Sequence, residues 1–298
     1  MITCYLQGGL GNQLFILFTT IAYALQNNQP VMFYYSEKLV HGYTLRYTYW
    51  KTFFRALKEL TTVKPIMNGL KTIKEHREGK YTELDKIKPT DHSSSQSAIL
   101  YGYFQSFKYF QDEYGEISRM LGIDDMRNRY FNWFSKNDLD PETTVSMHFR
   151  LGDYKKLNQV LPIEYYSKSL DYMMDQEPTL TVLYFCEEEN RSEVNQMINT
   201  LQQNRSIKFK HCNITSPQNS GSATGSASST LNQNAIVGQP EDEMIIMSIC
   251  KYNIIANSTF SWWAAYIGDR EDDNTHIVCY PEVENVDLYP EKWYRISL

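Results

Sequence analysis

The sequence predicts an α/β protein of two halves, each an open parallel sheet flanked by helices. Three observations predict it. An apolar run at residues 2–6 ends in a glycine-rich turn, and the apolar residues after it recur at helical spacing. The polar turn Asn137-Asp138-Leu139-Asp140-Pro141 divides a chain of 298 residues near its middle, and that length suits two ordinary domains. Beyond the turn, short β-rich runs alternate with helical patterns almost to the end. The halves are expected at 1–138 and 139–298.

Residues 2–6 read as a strand. Gln7-Gly8-Gly9-Leu10-Gly11-Asn12-Gln13 follows as a tight turn. Leu14, Leu17, Phe18, Ile21 and Leu25 then share one helical face, and residues 31–35 form the next strand, completing a βαβ unit. Leu14 stands where G-x-G-x-x-G needs its third glycine, and no acidic residue closes the second strand before Glu37. A dinucleotide cofactor is therefore disfavoured. Two features of the turn still point to an anion. Glycines let backbone N–H groups approach a ligand, and a helix N-terminus favours negative charge. An ordinary βα turn would look the same.

Residues 40–98 are less patterned. The aromatic stretch 43–50 reads as strand or loop, 64–88 as solvated surface and 92–95 as a loop. Residues 99–104 read as a strand, and 107–121 and 125–136 as helices.

In the second half, residues 145–150 read as a strand running into His148-Phe149-Arg150-Leu151-Gly152-Asp153-Tyr154 and the charged loop Lys155-Lys156. A His, an Arg and an Asp thus stand at the carboxyl end of a strand, where open α/β sheets bind their ligands. Arginine offers a planar fork of donors suited to phosphate oxygens. The plainer alternative is an Arg–Asp pair that closes a strand end. Next come a helix at 163–175, apolar at Tyr166, Leu170, Met173 and Met174, and a strand at 181–186 entering Glu187-Glu188-Glu189. A helix at 192–201 and a strand at 207–212 follow. Residues 214–240 are dominated by Ser, Gly, Thr, Asn and Gln, too polar to offset their ordering entropy, and are expected as a flexible surface insertion.

The chain resumes with a helix at 241–250 and a strand at 253–257. The helix at 262–267 has Ser258, Thr259 and Ser261 as cap candidates. Strand, hydroxyl-rich turn, helix makes a second anion cradle, indistinguishable by itself from an ordinary cap. A strand at 275–280 and a tail at 283–298 end the chain. The acidic pairs Asp124-Asp125 and Asp272-Asp273 and the run Glu241-Asp242-Glu243 read as helix caps and solvated turns rather than metal ligands.

Composition narrows the function. Net charge is −6, which excludes a general nucleic-acid surface but leaves room for a local basic pocket. The five cysteines, Cys4, Cys186, Cys212, Cys250 and Cys279, are widely spaced and odd in number, as expected of reduced, buried thiols in a cytoplasmic protein. Residues 14–25 are too short an apolar run to span a bilayer, and no signal peptide is legible. The N-x-S/T triplets at Asn190, Asn204, Asn213 and Asn257 would then carry no glycans. Three segments, 8–13, 148–153 and 257–261, each bring polar groups to a strand end, and together they describe a pyrophosphate pocket with no metal of its own.

Gly8-Gly9-Leu10-Gly11-Asn12-Gln13-Leu14-Phe15, His148-Phe149-Arg150-Leu151-Gly152-Asp153-Tyr154 and Asn257-Ser258-Thr259-Phe260-Ser261-Trp262-Trp263 resemble, in order and spacing, the motifs of α-1,2-fucosyltransferases. The resemblance covers nearly the whole chain apart from 214–240 and the vague 40–98. It implies a GT-B-type fold of two Rossmann-like domains facing a cleft, with the acceptor on the N-terminal side. It also implies GDP-fucose as donor, a galactose-terminated glycan as acceptor, and inverting transfer to its 2-hydroxyl. No metal or other cofactor would be needed. Membrane association would arise only through a lipid-linked acceptor. By the match, Arg150 would hold the donor phosphates, with His148 and Asp153 shaping that strand end. Asn257, Ser258, Thr259 and Phe260 would cradle the β-phosphate, and Asn12, Gly9 and Gly11 would line the interdomain cleft. Asp242 resembles a helical Asp that reads the guanine edge. Asp153 is the first candidate for general base, then His148, then Glu37. Two positions depart from the pattern: Leu151 stands where a second Arg is usual, and Cys186-Glu187 where an acidic pair often follows the strand. Another GDP-sugar or linkage, a non-catalytic sugar-nucleotide or glycan-binding protein, and a dehydrogenase are the alternatives.

Overall fold

The computed structural model describes the chain except residues 42–43, 65–68, 77–79, 88–96, 204, 215–238, 270–274, 284 and 286. The expected insertion at 214–240, the loop at 92–95, Asn204 and the Asp272-Asp273 pair fall wholly or almost wholly outside the described residues.

The first half holds β1 (Ile2–Cys4), α1 (Leu10–Gln26), β2 (Phe33–Tyr34), β3 (Lys38–His41), β4 (Thr44–Tyr47), β5 (Thr61–Thr62), β6 (Lys71–Lys74), β7 (Ala98–Tyr101), α2 (Tyr114–Leu121) and α3 (Ile123–Lys136). Its sheet runs β1-β7-β6, and an isolated parallel bridge from Ile2 to Val31 carries it toward the β2-β5 pair. Helix α1 is apolar on every side and is buried along nearly its whole length, as a central helix must be.

The second half holds β8 (Thr144–His148), α4 (Tyr154–Leu157), α5 (Ile163–Gln176), β9 (Thr181–Phe185), α6 (Arg191–Gln202), β10 (Lys208–His211), α7 (Pro240–Ile249), β11 (Tyr252–Ile254), α8 (Thr259–Gly268), β12 (Ile277–Pro281) and β13 (Tyr294–Ile296). Its six strands are all parallel in the order β10-β9-β8-β11-β12-β13. In sequence rank that order is 3-2-1-4-5-6, the doubly wound Rossmann arrangement, and it reverses between β8 and β11. The central strands are buried throughout, which is why they read as continuous apolar runs rather than alternating ones. Two parallel α/β sheets in one chain, the second fully doubly wound, give the GT-B-type architecture expected.

An aromatic seam joins the halves. Phe15 packs at 4.5 Å from Trp262, and Phe18 at 4.6 Å from Trp263 and 5.3 Å from Phe110. Such ring pairs are each worth about 0.5–1.5 kcal/mol beyond their burial. The Trp262-Trp263 pair is therefore core, and it holds α8 against α1.

Several expectations about elements change. The stretch at 64–88 contains β6, whose Ile73 is the inward residue among exposed neighbours. Of the strand or loop expected at 43–50, Thr44–Tyr47 is a strand, and it pairs antiparallel with Lys38–His41. Lys155 and Lys156 sit in a short helix. The tail carries the edge strand β13. The expected helix at 107–121 is a 3-10 turn followed by α2. All five cysteines are free and buried, as expected. Among the described residues, no helix is long and apolar enough to cross a membrane.

Candidate active site

The reversal between β8 and β11 places two chain segments side by side at the carboxyl edge of the sheet. His148 ends β8, and residues 149–153 leave from there. Ser258 follows β11 and caps α8, accepting from the Phe260 N–H at 3.3 Å. Tyr154 ties the two, donating its hydroxyl to the Asn257 carbonyl at 3.0 Å. Asn257 in turn donates its amide to the Gln159 carbonyl at 2.9 Å, while its Oδ1 finds no partner among the described residues.

The glycine turn reaches the same place from the other half. A Cβ at Gly11 would stand 2.5 Å from the Thr259 carbonyl group and 2.7 Å from the Phe260 nitrogen. Only glycine lets the start of α1 approach the start of α8 this closely. Gly8 adopts a left-handed φ of +74°, and Gly9 is the N-cap of α1 without a side-chain bond. Asn12 accepts from the Gln105 amide at 2.9 Å. Gln13 is buried and donates to both the Gly8 and Tyr47 carbonyls, at 3.0 and 2.8 Å, so it fastens the hairpin to the turn. The three segments singled out in the sequence thus converge on one cleft.

Arg150 stands on the loop that leaves β8. Nη2 donates to Asp153 Oδ1 at 2.7 Å, Nη1 to Glu187 Oε1, and the guanidinium stands 5.5 Å from the centre of the Tyr154 ring. Glu187 also accepts from the Asn190 amide at 3.0 Å. A Cβ at Gly152 would collide with the Glu187 carboxylate, so the glycine keeps that carboxylate close. Leu151, where a second Arg is usual in the resembled pattern, is 1% exposed and packs in the core with Phe149 and Tyr166. Its side chain points away from the cleft.

His148 is buried with its ring 5.6 Å from that of Phe260. Burial, aided by the Arg150 charge, pulls its value down to about 3. At neutral pH the imidazole is therefore uncharged. Its Nδ1 is buried without a partner among the described residues. Glu37 is ion-paired with Lys51 at 2.6 Å and exposed, and Asp153 is half-exposed beside Arg150.

Asp242 is in the first turn of α7, as expected of a cap, and both its oxygens are engaged. One accepts from the Gln239 backbone N–H at 3.0 Å, the other from the Tyr130 hydroxyl. The next residue was missed in the sequence reading. Glu243 is partly buried, and desolvation with the neighbouring Asp242 charge lifts its carboxyl to about 7. Its charge reaches Cys186 and Cys212, at the carboxyl ends of β9 and β10. Glu187 was noted only as a departure from an acidic pair and as part of the acidic run after the strand, and that run gave no sign that one member grips Arg150. Arg46, from the hairpin, was also missed; it lies 3.9 Å from Asp153. No group of three or more His, Cys, Asp or Glu suited to a metal occurs among the described residues.

The comparisons fit this geometry. The family model for glycosyl transferase family 11 matches residues 212–295, which hold α7, β11 and the Asn257–Trp263 motif. The Escherichia coli O-antigen biosynthesis glycosyltransferase WbnK is 26% identical over 204 residues, covering 65% of this chain and 55% of that protein. This chain therefore spans only about half of that relative. The Escherichia coli alpha-1,2-colitosyltransferase is 24% identical over 329 positions, covering 100% of this chain and 99% of that protein. Among solved structures, the family 9 glycosyl transferase of Veillonella parvula overlays with a TM-score of 0.45 at 11% identity, covering 100% of this chain and 84% of that one. The Escherichia coli ADP-heptose heptosyltransferase II overlays at 0.34 and 13%, covering 58% and 43%. The resemblance first carried by three short motifs gains support: residues 212–295 are similar to glycosyl transferase family 11, and both relatives are named as sugar transferases.

Proposed function

We propose that the protein is an inverting galactoside α-1,2-fucosyltransferase that moves L-fucose from GDP-fucose to the 2-hydroxyl of a terminal β-galactoside. One observation carries this reading: the reversal point of the six-stranded sheet gathers Arg150, the capped start of α8 and the start of α1 at one cleft. Such a crevice is where doubly wound sheets bind nucleotides. Helix N-termini and a guanidinium are the donors that a departing diphosphate needs.

In this reading the acceptor oxygen attacks the anomeric carbon as the bond to the GDP oxygen breaks. Arg150 and the N–H groups at Thr259 and Phe260 take up the charge growing on the diphosphate. Asp153, half-exposed beside Arg150, takes the acceptor's proton. Neutral His148 turns its ring toward the same strand end and orients donor oxygens without adding charge. Glu243, rather than the fully engaged Asp242, accepts N–H bonds from the guanine edge. No bound metal is assigned a part, and transfer should persist in a chelator.

The test is incubation with GDP-fucose and a panel of β-galactosides, with the product linkage read by NMR. An α-1,2-fucosyl product supports the reading, and absence of transfer to every galactoside contradicts it. A second donor merits the same panel. The relative that matches the whole chain is named for colitosyl transfer, so GDP-colitose is the competing substrate. A product formed only from that donor would keep the site and change the sugar.

A further inference from the structure

We propose that Arg46, carried by the β3–β4 hairpin of the N-terminal half, is the second cation on the donor's diphosphate. The inference rests on the reading of Arg150 as the phosphate-holding residue.

It starts from a charge problem. Arg150 is gripped by two carboxylates, Asp153 at 2.7 Å and Glu187. One guanidinium between two carboxylates is a cluster of net negative charge, and it would repel a diphosphate rather than attract one. Position 151 offers no relief, since Leu151 is buried in the core. The guanidinium of Arg46, from β4 of the N-terminal half, approaches this cluster at Asp153. It lies 3.9 Å from Asp153 Oδ2, with both side chains 48% exposed. With Arg46 the cluster is neutral, and an arriving diphosphate meets two guanidiniums.

The hairpin is positioned for this. Residue 47, next to Arg46, has its carbonyl bound at 2.8 Å by Gln13, the last residue of the glycine turn. At the hairpin's base, the Thr48 N–H donates to the Glu37 carbonyl at 3.2 Å, and the Thr48 hydroxyl donates to the Ser36 carbonyl. The backbone is thus fixed beside the site, while among the described residues the Arg46 side chain makes one long, solvent-screened ion pair. Exposed pairs of that kind hold a side chain weakly. Arg46 can therefore leave Asp153 for phosphate oxygens, which its planar fork fits better. The exchange also removes a cation from Asp153 when that carboxylate is needed as base.

Calorimetric titration of the full chain with GDP and with GMP tests this. Arg46→Ala should weaken GDP by about 10- to 100-fold, the range of a charge-assisted hydrogen bond, and change GMP less than threefold. Arg46→Lys should recover part of the loss. Asp153→Asn, which frees Arg46 and leaves Arg150 with Glu187 as its remaining carboxylate, should bind GDP at least as tightly as the parent. Thermal unfolding midpoints of the variants should stay near the parent's, because the replaced side chains are half-exposed. If Arg46→Ala binds GDP like the parent while Arg150→Ala is weakened, Arg46 is only a latch and the proposal falls. Equal weakening of GDP and GMP by Arg46→Ala, or weakening of GDP by Asp153→Asn, overturns it as well. If Arg150→Ala also binds GDP undiminished, the fault lies with the diphosphate reading itself.

Discussion

The two halves bring different things to the cleft. Apart from Arg46, the N-terminal half brings shape. Its glycine turn has no charged side chain, and Gly11 exists to let α1 touch the backbone of Thr259 and Phe260. The C-terminal half brings charge: Arg150 with its carboxylates, and the capped helix at Ser258. Both are strand–turn–helix units, and in sequence both look like anion cradles. The difference teaches that such a turn has two uses. It can present N–H groups to a ligand, or it can omit side chains so that another element's N–H groups arrive.

The sharpest break of this comparison is Arg150→Ala. With charge located on the C-terminal side, kcat/KM should fall by about 10²–10³ or more, the worth of one preorganised donor. The thermal midpoint should hardly move. Steady-state rates with a melting curve check both; a folded variant that turns over like the parent removes Arg150 from the site.

Gly11→Ala strikes at shape alone. Its Cβ meets backbone rather than a yielding side chain, so overpacking should cost about 1–3 kcal/mol, with loss of activity and no change in charge. Denaturant unfolding reads the cost. A variant as stable and active as the parent would mean the two helix starts need not touch.

Glu187→Gln should leave the guanidinium present but less fixed. A loss on the order of tenfold in kcat, with KM nearly unchanged, is expected from removal of a charge-assisted bond. A loss confined to KM would contradict a positioning role.

The smallest effect concerns pH. The Glu243 carboxyl is raised from its ordinary 4.5 to about 7 in the folded protein. The fold therefore holds a proton that the unfolded chain gives up, and this group's stability contribution is lost as pH rises from about 4.5 through 7. If the carboxylate form accepts the guanine N–H groups, GDP affinity should rise up to about tenfold between pH 6 and 8. Glu243→Gln should flatten that rise, and a slope that persists in the variant would assign it elsewhere.

Much of this was legible in the sequence, for a physical reason. Long elements repeat their pattern: α1, α3, α5 and α6 have enough turns to display an apolar face. The parallel strands β8, β9 and β11 stand out as buried runs. The three motif segments were legible because turns demand particular residues. Shorter pieces were not. In β6, Lys-Thr-Ile-Lys offers one buried residue in four, and the edge strand β13 offers one in three. The β3–β4 hairpin leaves Val40, Leu45 and Tyr47 exposed, so alternation gives no inward face to read. Arg46, Glu187 and Glu243 matter through contacts across the chain. Glu187 lies 37 residues from Arg150, and no local pattern announces such a pairing. Asp242 was singled out by its resemblance to a helical Asp that reads the guanine edge; here it also makes the local capping-box bond to Gln239 that an acid at a helix start predicts.

The central claim is that a guanidinium at the sheet's reversal point receives the nucleotide's diphosphate. Calorimetric titration of GDP into the parent and into Arg150→Lys tests it most directly, because lysine keeps the charge and loses the fork. The account predicts that the parent binds GDP and that Arg150→Lys, still folded, binds it at least tenfold more weakly. Equal affinity of the two proteins for GDP would contradict it.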